Sequence, residues 1–202
     1  RDMALSKIQS ESVNLADNFA FTGNVTGAGS NILETFTLVG NGEPITVGSG
    51  TYTPANVTTE VHLTDSHAVI NGSSIAYTPP TGATSVIYEF QYKIAWDSTA
   101  ARICHSAMRI DGTQITGSRQ TTGASGSYDQ VHHYFKWRIP IGGSASTATG
   151  RVASWTSAKT IDMTVRRYDS NYTGRLFRSH YWDGGSSNLP IDLPVLSITA
   201  LK

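Results

Sequence analysis

The chain has 202 residues, with 15 Lys/Arg against 15 Asp/Glu, 19 Gly and one Cys. That length can bury a sizeable core without disulfides, and the balanced charge excludes a strongly basic nucleic-acid binder; the longest basic run is Arg166-Arg167. No apolar run is long enough to cross a membrane, the start lacks the layout of a secretory signal, and Arg1 and Asp2, ahead of Met3, are set aside, so a soluble protein is expected.

The charge is unevenly placed. Residues 1–97 hold three Lys/Arg and nine Asp/Glu, while 98–202 hold twelve and six, so the halves carry −6 and +6. Such asymmetry suits an anionic partner or neighbouring copies that complement each other. Ser, Thr and Gly are abundant, and long Ala/Leu/Glu/Lys stretches of helical period are missing. An all-β chain follows.

In chain order, "SKIQSESVNLADNFAFTGNVTGAGSN" comes first, with Val13, Leu15, Phe19 and Phe21 apolar but isolated from any long run. Residues 1–31 are expected to form an extended docking arm that inserts those four side chains into a partner's groove, with Gly23, Gly27 and Gly29 leaving the backbone free to adapt. Residues 32–59 follow as a β-hairpin or collar segment, with Asn41-Gly42 as the turn between "TFTLVG" and "PITVG". Residues 60–202 are expected to form an antiparallel β-sandwich or jelly roll of about eight strands.

Its strongest strand is "SVIYEFQYKIAWD". There Val86, Tyr88, Phe90, Tyr92, Ile94 and Trp96 share one face, and Glu89, Gln91 and Lys93 the other. In "ARICHSAMRIDGTQI", Asp111-Gly112 predicts a tight hairpin. "DQVHHYFKWRIPI" alternates Val131, His133, Phe135, Trp137 and Ile139 against His132, Tyr134, Lys136 and Arg138. "KTIDMTVRRY", "RLFRSHYWD" and "PVLSITALK" complete the set, with "TEVHLTDSHAVI" and "SSIAYTP" as shorter strands and "SRQTTGASGSYD" and "GGSASTATG" as exposed loops.

No catalytic residue is expected. Neither "GASG" nor "GGSAS" has the spacing of a nucleophile elbow, "GNGEPI" and "GSGTYT" lack the third Gly of a phosphate cradle, and Cys104 reads as a small core residue. No metal or other cofactor is expected either. His132 and His133 are adjacent in a strand and point to opposite faces, and no Cys or carboxylate cluster accompanies His62 and His67 at ligand spacing. "DSN" and "DGG" are explained as turns, and the sequons at Asn24, Asn56, Asn71 and Asn171 by a Thr/Ser-rich composition. A ligand signal does lie in the basic half. Trp155, Arg166, Tyr172, Arg175 and Trp182 combine stacking rings with cationic donors, as a face for a bacterial surface glycan would require.

The opening "MALSKIQSESVNLADNFAFTGNVTGAG" resembles the N-terminal segment of structural proteins of marine bacteriophages that infect cyanobacteria and other ocean bacteria. "SSIAYTPPTGATSVIYEFQY", "DGTQITGSRQTT", "ASWTSAKTIDM", "YWDGGSS" and "LSITA" are similar to the globular part of those proteins. The resemblance implies a non-enzymatic virion component, anchored by its arm to other virion proteins and exposing a trimeric jelly-roll knob, fibre-like or complement-like, for host attachment. A short fibre or tail-associated protein is preferred, with a capsid decoration or head-fibre protein as the alternative. Rings on both faces of the strongest strands, Phe135 and Trp137 opposite Tyr134, suit a knob that packs against copies of itself. A free carbohydrate-binding lectin and a glycan depolymerase are the competing classes; no nucleic-acid or membrane partner is expected.

Overall fold

The computed structural model describes residues 31–96, 102–124, 130–171, 173–179 and 191–202. The docking-arm residues Val13, Leu15, Phe19 and Phe21, and also Tyr172 and Trp182, lie outside the described residues. Asn31–Lys202 forms one compact unit. Its strands are β1 (Ile32–Val39), β2 (Ile45–Val47), β3 (Gly50–Tyr52), β4 (Val61–His62), β5 (Ala68–Val69), β6 (Ile75–Tyr77), β7 (Ser85–Trp96), β8 (Arg102–Ile110), β9 (Thr113–Gln114), β10 (Gln120–Ala124), β11 (Gln130–Pro140), β12 (Lys159–Arg167), β13 (Gly174–Leu176) and β14 (Val195–Leu201). Among the described residues a 3-10 turn, Thr116–Ser118, interrupts them. The expected all-β, antiparallel sandwich is what forms.

The sandwich has two six-stranded sheets. In the first, β7 is central: β11 runs along one side of it, and β14 and then β13 along the other, with β1 outside β14 and β4 outside β13. In the second, β12 lies between β8 and the short strands β5 and β6, and β8 carries β9 and β10 on its far side. Every pairing between named strands is antiparallel, so one face of each strand can turn inward and the other toward solvent.

The alternation in β7 does what its pattern predicts. Val86, Tyr88, Phe90, Ile94 and Trp96 are fully buried and Tyr92 nearly so. Opposite them, β11 presents His133 to Tyr92, Phe135 to Phe90 and Trp137 to Tyr88. The cross-strand rings pack at 4.7 Å for Tyr92–His133 and 6.2 Å for Tyr88–Phe135, distances at which aromatic pairs add to the energy of area burial. From the second sheet Met108, Ile110, Ile161, Met163 and Val165 close the core. Cys104 is buried with them, and burial pushes its thiol up to about 12, so it stays protonated and acts as a packing group.

Several expectations change. Asn41-Gly42 does turn the chain, with Gly42 at φ +80 and the Glu43 N–H donating to Asn41 Oδ1 at 3.0 Å, but β1 and β2 do not form the hairpin. β1 pairs with β14 over seven register positions from Ile32 to Val39, and β2 pairs with β3 instead. The reason is burial: Phe36 and Leu38 gain a core only by joining the large sheet. Residues 32–59 are therefore not set apart from the sandwich. Glu34 ties the β2–β3 hairpin down, accepting from Ser49 N, Ser49 Oγ and Tyr77 Oη at 2.9, 2.6 and 3.0 Å.

Among the described residues beyond 60 the strands number eleven, β4 to β14, because several expected strands are split by turns. Of the described residues of "RLFRSHYWD", Arg175 and Leu176 lie in a strand, and Phe177 leaves it at φ +66. Conversely, part of "SRQTTGASGSYD", expected as a loop, is β10. Lys93, expected on the polar face, is 8% exposed and bonded to Asp192 at 3.2 Å and Ser179 at 3.3 Å, as a buried ammonium requires. The Asp111-Gly112 hairpin forms as expected, with φ of 49 and 76 at the two turn residues joining β8 to β9.

Candidate functional site

Of the residues expected to share one glycan-binding face, the three that are described, Trp155, Arg166 and Arg175, do not come together. Trp155 is 5% exposed, set edge-on to Tyr77 and donating through Nε1 to the Tyr77 carbonyl at 2.8 Å, which makes it a core side chain. Arg175 sits opposite Ala95, on the outward side of the first sheet, and binds the carboxylate of Glu60. Arg166 projects from the outward side of the second sheet. The sandwich thus separates the two arginines by its full thickness.

Around Arg166 a site does form. On β8 the buried Cys104, Ser106, Met108 and Ile110 alternate with Ile103, His105, Ala107 and Arg109; on β12 the inward Ile161, Met163 and Val165 alternate with Asp162, Thr164 and Arg166. Register turns this alternation into rows across the sheet. Arg166, His105 and Thr121 make one row, Thr164 and Ala107 the next, and Asp162, Arg109 and Gln114 the third. Ala107 is the smallest side chain in that array, and the long side chains on either side leave a hollow above it.

The hollow is a cleft of about 430 Å³ lined by His67, His105, Ala107, Gln114, Arg119, Gln120, Thr121 and Arg166, together with Ser106. That volume is in the range of small-molecule sites. His67 enters from the turn between β4 and β5, its Nδ1 3.2 Å from Thr164 Oγ1. Arg119 enters from the segment just before β10, its Nε donating to Gln114 Oε1 at 2.8 Å. Arg166 Nη1 donates to the carbonyls of Arg167 and Tyr168, both at 3.2 Å, which aims the rest of the guanidinium. His105 Nδ1 lies 3.0 Å from Thr121 Oγ1, and the half-exposed Tyr168 ring stands 5.9 Å from the His105 ring.

The electrostatics of the cleft are positive. Arg109 is neutralised by a bidentate pair with the buried Asp162, at 2.7 and 2.9 Å. Among the described residues, no carboxylate makes an ion pair with Arg119 or Arg166, and none lines the cleft. The nearest carboxylate that Arg166 influences, Asp65, is engaged with Arg167 at 2.7 Å. His67 reports the field directly: burial, then Arg166, His105, Arg109 and Arg119, hold its pKa below the ordinary histidine value. Such a site favours an anion and offers side-chain amides and a hydroxyl beside it.

Sequence reasoning found Arg166 but missed His67, His105, Arg119 and Gln114. The alternation in "RICHSAMRI" already sorts His105 and Arg109 from Cys104 and Met108; what was missing is the pairing of β8 with both β10 and β12. Two further hollows are less charged. One of about 380 Å³ lies between the β8–β9 turn and the 145–152 loop, where Asp111 and Lys159 pair at 3.1 Å; one of about 340 Å³ is lined by Pro79, Pro80 and Trp155. Among the described residues no group of three or more His, Cys, Asp or Glu could hold a metal ion.

Neither a protein-family model nor a curated protein matches the chain. Among solved structures, a chain titled "Structure of infectious bursal disease virus Gx strain" is similar at 12% identity and a TM-score of 0.36, over 83% of this chain and 36% of that one. A chain of the Gt strain is similar at 10% identity and a TM-score of 0.28, over 79% of this chain and 43% of that one. The present chain therefore spans less than half the length of those it matches.

Proposed function

We propose that this chain is a non-enzymatic structural protein of a phage particle, docked to other virion proteins by residues 1–31 and presenting the sandwich outward, as a trimer, to attach to the bacterial surface. The cleft over Ala107 carries this reading: it is concave, it lies on the outward face of a sheet, and it is lined by cations, amides and hydroxyls without a carboxylate to act as general acid or nucleophile. Its place on the particle rests on the resemblance of the opening segment to phage structural proteins. Between a tail-associated fibre and a head fibre or capsid decoration, a cleft suited to a surface ligand favours the former.

Competition tests the attachment role. Host cells saturated with the purified chain will adsorb the phage that encodes it several-fold more slowly, because the free sandwich occupies the receptor. An adsorption rate unchanged at saturating protein would overturn it.

A further inference from the structure

We infer that the cleft over Ala107 binds one acidic saccharide unit, a sugar carrying a carboxylate or sulfate, with the anion between Arg119 and Arg166 and the ring against Gln114 and Gln120. The inference deepens the attachment reading and rests on it for its biological setting, although the chemistry of the cleft stands alone. Two guanidinium groups without carboxylate partners among the described residues converge on one hollow of about 430 Å³, and His67 and His105 add donors to it. Guanidinium groups offer the planar donor fork that carboxylates and sulfates accept in pairs.

Three features point to a sugar rather than a bare anion. Gln114 and Gln120 provide amides that can both donate to and accept from ring hydroxyls, and the Thr121 hydroxyl lies beside them. The Tyr168 ring, 51% exposed and 5.9 Å from the ring of the cleft residue His105, offers an apolar face to a further sugar ring outside the cleft. The hollow is closed on its floor by Ala107, 1% exposed, and so accepts one unit of a chain rather than an extended polyanion. A nucleic-acid backbone would instead need a longer track of cations than a chain with 15 Lys/Arg and 15 Asp/Glu provides.

Isothermal titration of the full 202-residue chain tests this with four probes: a sulfated carrageenan tetrasaccharide, a galacturonate tetrasaccharide, neutral maltotetraose and sodium sulfate. At least one charged tetrasaccharide will bind tenfold or more tighter than both maltotetraose and free sulfate. Arg119→Gln and Arg166→Gln will each weaken that binding about tenfold. Arg119 is exposed, so its variant keeps the fold even if the Arg166 variant does not. Arg138→Gln, at an exposed position of β11 on the other sheet, will leave the affinity unchanged. Equal affinity for charged and neutral sugars, sulfate binding as tightly as the sugars, or an equal loss in the Arg138 variant would each overturn the proposal. Failure here removes the ligand class and leaves the place on the particle untouched, which is tested separately.

Discussion

Phe90→Ala will destabilise the sandwich by about 4 kcal/mol, within the range of about 3 to 5 kcal/mol for emptying a buried Phe site. Phe90 is fully buried at the centre of β7, paired with Phe135 on β11 and Leu196 on β14, with the Tyr92 ring stacked at 5.3 Å. Its neighbours are held by two strands at once, so the cavity left by the ring cannot collapse, and the full cost appears. For a chain of this size, roughly 2 to 4 °C of melting temperature per kcal/mol gives a drop of order 10 °C. Thermal and urea unfolding will show it. Tyr134→Ala is the matched control: it sits on the neighbouring strand, 57% exposed and bonded to Glu89, and should cost well under half as much. Equal losses at the two positions would mean that β7 is not the centre of the core.

Acid will unfold the protein through His133. This side chain is 8% exposed, stacked on Tyr92 at 4.7 Å, and its Nε2 has no hydrogen-bond partner. Burial, helped by His132 next to it, holds its pKa down at about 4, against an ordinary value of 6.5. The folded state therefore binds this proton less readily than the unfolded state does. Stability is complete above pH 6.5, falls as pH drops through the interval from 6.5 to 4, and levels off below. The gap corresponds to about 3 kcal/mol. His67, also depressed, acts in the same direction, whereas Asp65 and Glu89, with lowered carboxyl pKa values, contribute only at lower pH. Urea midpoints measured at pH 7.5, 6, 5 and 4.5 will trace the fall. In His133→Phe, which keeps the stack on Tyr92, most of the slope between pH 6.5 and 4.5 will vanish; a slope unchanged in that variant would assign the acid sensitivity elsewhere.

The strands that organise the core were legible in the sequence. Six alternating apolar positions from Val86 to Trp96, and Val131, Phe135, Trp137 and Ile139 with His133 among them, describe the inward face of two strands directly, and these strands pair with each other along the whole of β11. The opposite placement of His132 and His133 followed from the same two-residue period, and the structure leaves one exposed and the other buried. Long-range partner choice was not legible. Asn41-Gly42 carries the local signal of a hairpin, yet β1 pairs with the last strand of the chain, because the strand that seats Phe36 and Leu38, opposite Ile198 and Leu196, lies at the other end of the sequence.

The basic character of the second half was legible in the sequence, and the membership of the cleft was not. A basic half with interspersed aromatics suggested an anionic ligand, and the cleft is basic. Its residues, however, come from four strands and two connecting segments, and only register could show that Arg166, His105 and Thr121 share a row or that Ala107 leaves the hollow between rows. Trp155 was misjudged for a related reason: a Trp in a polar stretch reads as exposed until its indole N–H is seen bonded to the Tyr77 carbonyl inside the sandwich.

The place of the chain on a particle is the claim on which the attachment reading depends. Quantitative mass spectrometry of purified virions of the phage that encodes it measures this most directly. The account predicts intact chain in the particles at a fixed copy number divisible by three; purified, infectious particles that contain none of it would contradict the account.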